Sequence, residues 1–496
     1  MGRTGKDLHL HISNGEQGEY VALSHSWGGH KPIETTKATL GRHCESIHLD
    51  ESSKTFEDAA KVCRDLGYKY LWVDSLCIVQ DDGADWAAEA AKMSQVYRNA
   101  ALTISAESAK DARDGLFAVR ERDKQTSKHV VIECDSPSGQ KGKVCIRTRM
   151  PNAQTSRIVT NFAHDSVPVS ESRLASRAWV LQERLLSPRI LHFYKEELAW
   201  SCCSISHCEC RLDAGTTDIS IFKKSQNPDL PRENLAREMH QQWTDLVVEF
   251  TNRKLTKIRD RLPAMSGLAS VCNEITRSRY CAGLFFKDMA YGLLWMSDHN
   301  ASPAPITRNV ENSTLPTWSW ASVTGPVKYL DRQRSQFERK SRGNTVIPIL
   351  EVVAAHSESS GPNAFGDVSF GWVCVIGQVL RVDWERSEFR PWNTDLNKRV
   401  QSMKESKSPV PIPDYVGPDA TIDRNNIYFL RAAKYILGGM WSSNNTENIC
   451  LMVEKVIRPQ YENVPLFRRC GFVLNAFPSN LVWSVRDTPS TYVFLV

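Results

Sequence analysis

Residues 55–105 read TFEDAAKVCRDLGYKYLWVDSLCIVQDDGADWAAEAAKMSQVYRNAALTIS, and they contain two helical patterns. In the first pattern apolar residues recur at helical spacing from Phe56 to Leu66, with Thr55 as a suitable N-cap and Gly67 as a suitable stop. The second pattern, from Asp85 to Arg98, has the same periodicity. The stretch therefore predicts two helices of more than ten residues each.

Three short apolar runs alternate with these helices. Residues 20–24 (YVALS) precede the first helix, residues 70–74 (YLWVD) lie between the two, and residues 101–105 (ALTIS) follow the second. Alternation of strands and helices is typical of a parallel sheet with right-handed crossovers. We therefore expect an α/β fold whose strands end along one edge, where ligand crevices of such sheets form.

Each of these runs ends in a polar residue, so we expect a site near Ser24, Asp74 and Ser105. Asp74 is either a ligand-binding residue or a loop anchor. Asp81 and Asp82 have the composition of a turn, and Asp85 is placed to cap the helix that follows.

Glu89 lies on the apolar face of the second helix, together with Trp86, Ala90 and Met93. A carboxylate on a buried face is partly desolvated, which is common at catalytic sites. The alternative is an ion pair or a loop contact, because such pairs produce the same pattern.

Composition excludes several classes of protein. The 496 residues are 41% hydrophobic and 24% charged, and 62 Lys and Arg against 57 Asp and Glu give a net charge of +5 without a long single-sign block. No nucleic-acid partner is therefore indicated. No apolar run approaches the roughly 18 residues of a membrane span, and the first twenty residues lack the apolar region of a signal peptide. We expect a cytoplasmic protein whose 14 cysteines are reduced.

Two further motifs have other interpretations. Residues 202–210 (CCSISHCEC) hold four cysteines and a histidine, but they lack the two separated pairs of a structural zinc site, so no metal is predicted. Ser24 or Ser26 with His25 and Asp74 has the residue types of a hydrolase triad. Neighbouring residues on a strand point to opposite faces and no G-x-S-x-G motif is present, which argues against a hydrolase.

Several long blocks, in order and correctly spaced, resemble the fungal heterokaryon incompatibility (HET) domain. They are YVALSHSWGG (20–29), residues 55–117 and SRAWVLQERLLSPRILHFYKEELAWSC (176–202), with further similar segments up to about residue 330. The resemblance implies an effector of vegetative incompatibility that triggers cell death after fusion of unlike cells. It also implies a distant likeness to Toll/interleukin-receptor (TIR) domains, and thus a flavodoxin-like parallel sheet with flanking helices.

Some TIR domains cleave NAD at the nicotinamide glycosidic bond with a glutamate beside the ribose, so the resemblance implies NAD or a related nucleotide as a possible substrate, with no bound cofactor. Glycosidic cleavage needs a carboxylate that stabilises an oxocarbenium-like state. The candidates are Glu89, Glu183 in the closing block, and Glu107, which follows the third strand as the TIR glutamate does.

The predicted catalytic residues are Glu89, Asp74 and Glu183. The predicted nucleotide-binding residues are Ser24, Trp27, Gly28, Ser75, Gln80, Asp81, Arg177, Trp179 and Gln182. Trp27 could stack on a flat ring, and Ser24 with the glycine turn could donate to phosphate. No G-x-G-x-x-G or P-loop motif is present at a strand-to-helix junction.

We predict a HET domain at residues 1–215 with its core at 20–200, a helical extension packed on it at 216–330, and a β-rich accessory region at 331–496. Three functions stay open. The protein could destroy NAD or another nucleotide, or it could be a non-catalytic module that oligomerises and recruits protein partners. It could also be an autoinhibited member whose C-terminal half covers the site.

Overall fold

The computed structural model describes residues 8–117, 129–135, 141–147, 172–195, 198–209, 220–227, 229–302, 304–309, 314–330, 345–381, 410–414, 426–436, 446–458, 464–474 and 490–496. The chain divides into two compact units, residues 1–230 and 231–496. The predicted boundaries at residues 215 and 330 stay predictions.

The N-terminal unit alternates strands and helices. Its strands are β1 (Tyr20–Ser24), β2 (Tyr70–Trp72), β3 (Leu102–Ser105), β4 (His129–Asp135), β5 (Lys141–Arg147), β6 (Arg189–Phe193), β7 (Leu198–Cys202) and β8 (Ser206–Cys208). Its helices are α1 (Leu40–Glu45), α2 (Lys54–Asp65), α3 (Asp74–Cys77), α4 (Gly83–Asn99), α5 (Val180–Leu186) and α6 (Ile221–Lys224), with a 3-10 turn at Glu51–Ser53.

Six of these strands form one mixed sheet in the order β2-β1-β3-β6-β7-β8. The first four are parallel, with Val21 beside Leu71 on one side and Leu102 on the other. The sheet then continues antiparallel through β7 and β8, while β4 and β5 form a separate hairpin. The predicted α/β architecture with three parallel strands is confirmed.

The apolar runs form strands because both faces of the sheet are covered. Val21 and Leu23 of β1, Ile104 of β3 and Phe56 of α2 are almost completely buried in one core. On the other face, Tyr97 of α4 packs in a cluster with Ala22. Strands covered on both faces carry continuous apolar sequences rather than alternating ones.

Three details of the predicted elements are corrected. The second strand ends at Trp72 rather than Asp74, and Asp74 begins the short helix α3. Helix α2 begins at Lys54, so Thr55 is inside it and accepts a hydrogen bond from the Gly115 amide, 3.1 Å away.

Asp82 caps α4, whereas Asp85 accepts from the Val79 amide at 2.8 Å. Gly67 does end α2, with a φ of 82° that favours glycine.

The C-terminal unit begins with helices and continues as β-structure. Its helices are α7 (Arg232–Thr251), α8 (Ser266–Thr276) and α9 (Met289–Gly292), with 3-10 turns at Ile258–Arg261, Pro263–Met265, Phe286–Asp288 and Trp320–Ser322. Its strands are β9 (Tyr280–Cys281), β10 (Leu284–Phe285), β11 (Met296–Ser297), β12 (Val327–Lys328), β13 (Thr345–Pro348), β14 (Glu351–Ser359), β15 (Val368–Arg381), β16 (Val410–Pro413), β17 (Ile427–Ile436), β18 (Thr446–Val456), β19 (Leu466–Leu474) and β20 (Ser490–Leu495).

Five of these strands close into a barrel. The order β17-β18-β19-β20-β15 returns to β17 because β15 pairs with both β20 and β17. The pair β19 and β20 is parallel and the other four pairs are antiparallel. The predicted β-rich C-terminal region is confirmed, and closure of the ring removes the open edges of these five strands.

Candidate functional site

The candidate site is built around Glu183, which lies on helix α5 and is buried. Its Oε2 atom accepts a hydrogen bond from the Ser24 hydroxyl, 2.5 Å away at the end of β1. Burial raises the pKa of Glu183 to about 7, against the opposing effects of Ser24, Arg177 and Tyr97, which stabilise the charged form. The carboxyl group is therefore partly ionised near neutral pH.

Asp74 is the second carboxylate of the cluster and lies at the first residue of α3. It accepts hydrogen bonds from the Trp27 indole at 3.0 Å and from the Ser75 amide at 2.7 Å. Its negative charge contributes to the raised pKa of Glu183. Glu183 is buried and Asp74 is partly exposed.

His25 lies beside Asp74, with its Nδ1 atom 3.6 Å from Asp74 Oδ1. The ring is buried against the edge of Phe56, and neither ring nitrogen has a hydrogen-bond partner among the described residues. Burial lowers the pKa of His25, with the Arg177 cation acting in the same direction and Asp74 opposing both. His25 is therefore neutral at pH 7 and is available to a ligand as a donor or an acceptor.

Arg177 and Tyr97 complete the cluster. A guanidinium N–H of Arg177 donates to the carbonyl oxygen of His25, and the Tyr97 hydroxyl donates to the carbonyl oxygen of Leu23 at 3.2 Å. Both contacts are to the main chain at the end of β1, so a cation and a phenol are held next to Glu183.

This arrangement is suited to stabilising a cation. A buried carboxylate, once ionised, interacts strongly with positive charge that develops nearby, because water does not screen it. The partial protonation of Glu183 also suits proton transfer, since a group with a pKa near the working pH can both donate and accept. The cluster can therefore support cleavage of a glycosidic bond or general acid–base catalysis.

The structure brings together five of the predicted residues: Ser24, Trp27, Asp74, Arg177 and Glu183. They come from positions separated by as many as 159 residues, and the parallel sheet is what joins them.

Three of the predicted nucleotide-binding residues have local structural contacts. The Gln80 side chain donates to the carbonyl oxygens of Asp74 and Ile78, at 3.1 and 3.0 Å. Asp81 accepts from the Lys37 amide at 2.7 Å. Gly28 has a φ of 61°, and its Cα faces the main chain of Lys110. Gln80 and Asp81 therefore hold the loop that follows α3, and their part in nucleotide binding stays a prediction.

Ser75 and Gln182 are buried polar residues next to Asp74 and Glu183 in the chain. The Ser75 hydroxyl and both amide atoms of Gln182 have no hydrogen-bond partner among the described residues. Buried polar groups are nearly always paired, so an unpaired one indicates a ligand or a water. Trp179, one turn before Glu183, packs edge to face against Trp86 at 6.5 Å.

Glu89 forms a contact of its own, apart from the hydrogen bonds of Glu183 and Asp74, and its catalytic role stays a prediction. Its carboxylate forms an ion pair with Lys92 at 2.8 Å, and its side chain is 22% exposed. The buried face of α4 is formed by Ala90, Met93 and Tyr97, so Glu89 lies at the margin of that face. Of the two interpretations of Glu89, the contacts favour the ion pair.

Glu107, the other alternative, is fully engaged elsewhere. Arg184 donates to both of its carboxylate oxygens, at 2.6 and 2.7 Å. The Ser172 hydroxyl and the His192 Nδ1 atom lie at 2.6 and 2.8 Å. These partners hold the pKa of Glu107 well below its usual range although burial opposes them. Glu107 therefore anchors α5 rather than facing the Glu183 cluster.

Sequence reasoning missed His25 and Tyr97 as members of the site. The triad argument set His25 aside because neighbours on a strand point to opposite faces, but β1 ends at Ser24 and the rule does not extend past it. Tyr97 is one of the buried positions of α4. The sequence signal for Tyr97 is that its hydroxyl, when buried, needs a polar partner.

Among the described side chains, no group of three His, Cys, Asp or Glu residues could hold a metal ion, and the side chain of Cys208 is not among them. Cys210, the last member of the motif at residues 202–210, lies outside the described residues. None of the helices in the described ranges is both long and apolar enough to cross a bilayer.

The chain was compared with models of known protein families. Residues 20–183 match the family model described as "Heterokaryon incompatibility protein (HET)". The matched range begins at the first residue of β1 and ends at Glu183, and therefore contains every residue of the cluster. Comparisons with curated proteins and with solved structures gave no match.

Proposed function

Because residues 20–183 are a heterokaryon incompatibility (HET) domain, which implies a role in that process, we propose that the protein triggers cell death by cleaving NAD or a related nucleotide. The cluster around Glu183 is the catalytic centre of this proposal. The observation that carries it is a buried carboxyl group with a pKa of about 7, hydrogen-bonded to Ser24 and influenced by Asp74.

The proposed reaction breaks the bond between the nicotinamide nitrogen and the ribose carbon. Ionised Glu183 stabilises the positive charge that develops on the ribose as neutral nicotinamide leaves with the electron pair of the broken bond. Water adds to the same carbon and releases a proton to solvent. Asp74 contributes negative charge to the cluster. Trp27 has an aromatic surface, and its indole N–H donates a hydrogen bond to Asp74. Arg177 is a cation suited to a phosphate oxygen.

The fold supports the same proposal. The strand order β2-β1-β3-β6 with all four strands parallel agrees with the beginning of a flavodoxin-like sheet. Ligands bind at the carboxyl ends of such strands, beside the point where the order reverses. That point lies between β1 and β3, where Ser24 is the last residue of β1, and Asp74 follows the neighbouring strand β2.

The test is incubation of the purified protein with NAD, ATP and related nucleotides, followed by chromatography of the products. We expect Glu183→Gln to lower turnover by about a hundredfold or more, since a single electrostatic group at a reacting centre contributes that much. Glu89→Gln is the matched control, because its carboxylate is paired with Lys92 at the margin of α4.

Equal turnover by the two variants would contradict the proposed site. Absence of turnover by the wild-type protein with every nucleotide, at high protein concentration, would favour the alternative of a non-catalytic module that oligomerises and recruits partners.

A further inference from the structure

Cys202 and Cys203 lie where β7 turns back into β8. The Cys202 amide donates to the carbonyl oxygen of Ile205 at 2.9 Å and closes the turn. The Cys202 sulfur in turn accepts the amide N–H groups of Ser204 and Ile205, each at 3.4 Å. Two aligned amide dipoles therefore point at one partly exposed sulfur.

Lys223 of α6 brings a buried positive charge to the same turn. Its ammonium group donates to the Ser201 hydroxyl at 3.1 Å, and the side chain is almost completely buried. No carboxylate among the described residues forms an ion pair with it, and the ionisable groups that act on it most strongly are Cys203 and Cys202. A buried charge needs a counter-charge, and an ionised thiol of this turn is the available source.

A chain of hydrogen bonds holds Lys223 in this position. Glu107 is ionised and accepts from His192 Nδ1, so the other ring nitrogen, Nε2, accepts from the Ser201 hydroxyl at 3.1 Å. The Ser201 oxygen then accepts from Lys223. Burial lowers the pKa of His192 to about 4, which keeps the ring neutral and preserves this order of donors.

The two thiols have different surroundings. Cys203 faces acceptors, the Pro188 carbonyl oxygen at 3.6 Å and the Gln226 side-chain oxygen at 3.8 Å, which favour the protonated thiol. Burial raises the pKa of Cys203. For Cys202, burial acts in the same direction, but the two amide donors, the Trp200 side chain and the Lys223 charge together outweigh it, and the pKa lies below its ordinary value.

We propose that Cys202 is a site of oxidative modification, where the thiolate attacks a hydroperoxide and becomes a sulfenic acid. The sulfur bonds to one peroxide oxygen as the O–O bond breaks, and the other oxygen leaves with the electron pair and takes a proton from solvent. The sulfur is oxidised by two electrons and the hydroperoxide is reduced to water or an alcohol. Lys223 and the turn amides stabilise the thiolate that reacts.

The test is treatment of the full chain with hydrogen peroxide in the presence of dimedone, which traps sulfenic acids, followed by peptide mass spectrometry. Cys44 is the internal control, because it is also partly exposed. We expect Cys202 to be labelled several-fold faster than Cys44 and Cys203. Labelling of Cys202 no faster than Cys44 would overturn the proposal.

The role of the charge is tested by Lys223→Met, with Lys224→Met on the same helix as the matched control. The titratable groups around the turn are Lys223, Cys203 and Arg189, with Arg184 acting on Lys223. We expect the pH profile of Cys202 alkylation by iodoacetamide to shift to higher pH in Lys223→Met alone, because loss of a cation disfavours the thiolate. Identical profiles for both variants would contradict the assigned role of Lys223.

Discussion

Glu183 combines burial with a hydrogen bond that fixes its direction. Burial raises its pKa to about 7, so the folded protein holds this proton more tightly than the unfolded chain, whose pKa is near the ordinary value of 4.5. The protonated form therefore contributes stability that is complete below about pH 4.5 and is lost as pH rises to 7. Ionisation of the site costs stability, a trade-off common at catalytic centres.

The first prediction is that Glu183→Gln stabilises the protein in a pH-dependent way. An amide cannot ionise, so the variant avoids a cost of roughly 3 kcal/mol above pH 7, at about 1.4 kcal/mol per unit of pKa. Thermal unfolding midpoints measured from pH 4.5 to 8 should diverge between wild type and variant as pH rises. A constant difference across that range would show that Glu183 ionises with an ordinary pKa.

The second prediction concerns activity against pH. If ionised Glu183 stabilises the developing cation, kcat/KM for the nucleotide should rise with pH and level off above an inflection near 7. This inflection is the pKa of Glu183 in the protein without substrate. Rates measured from pH 5 to 9 give this profile. A rate that falls as pH rises through 7 would instead assign Glu183 the role of a general acid.

The third prediction is about Gly28, in the turn that carries Trp27. Its φ of 61° disfavours other residues, and an added Cβ would lie 2.5 Å from the Lys110 carbonyl oxygen. We expect Gly28→Ala to destabilise the protein by about 1–3 kcal/mol, in the range of strained backbone positions. Gly29→Ala is the control, because its Cβ would meet nothing within 4 Å. Urea unfolding midpoints compare the two, and equal values would contradict the steric argument.

For single residues, the sequence predicts which side chains can carry chemistry better than it predicts which side chains they contact. Ser24 and Asp74 were predicted from their positions after apolar runs, and parallel strands do bring them to one edge. Glu89 and Glu183 were both candidates, and the sequence could not choose between them. The choice depends on Lys92 one turn away and on Ser24 at a separation of 159 residues, and the second contact exists only in the folded sheet.

Helix α5 is the element on which the site depends, because it is held on two faces. Glu183 accepts from Ser24, and the next residue, Arg184, donates to both carboxylate oxygens of Glu107, which follows β3 in the chain. Seven residues cannot form a stable helix alone, so tertiary contacts determine its position. The Glu107–Arg184 pair therefore positions Glu183 although it does not face the cluster.

The fourth prediction tests this anchor. Glu107→Gln leaves Arg184 buried without a counter-charge, and we expect a loss of roughly 3–5 kcal/mol in the free energy of unfolding. Asp65→Asn is the control, because it breaks an exposed pair with Lys61 that contributes less than about 1 kcal/mol. Similar unfolding midpoints for both variants would show that the buried pair is not an anchor.

Element boundaries were predicted less well than the elements themselves. The periodicity of residues 55–66 identified α2. The periodicity does not give the direction of the backbone at the helix end, and that direction determines which hydroxyl or carboxylate caps the helix. Asp82 and Asp85 are both suitable caps for α4, and only the fold shows that Asp85 is used by the Val79 amide instead. The same limit applies to Asp74, which begins a helix although its run is typical of a strand.

The chain as a whole consists of two units, each with its own core. In the C-terminal unit, Arg469 is completely buried, pairs with Asp414 at 2.8 Å and lies over the Trp295 ring at 3.7 Å. Its guanidinium also donates to the carbonyl oxygens of Leu293 and Trp295. One side chain thus joins β19 to the segment before β11. The sequence predicted β-structure here, but barrel closure depends on pairing between strands far apart in the chain.

The fifth prediction follows from the position of the site within one unit. Every residue of the Glu183 cluster, the sheet that supports it and its core lie within residues 1–230. A compact unit with its own core is expected to fold alone, so a fragment of residues 1–230 should show cooperative thermal unfolding by circular dichroism. The same fragment should retain nucleotide turnover that is lost in Glu183→Gln. A folded fragment without turnover, beside an active full chain, would show that residues 231–496 are needed for activity.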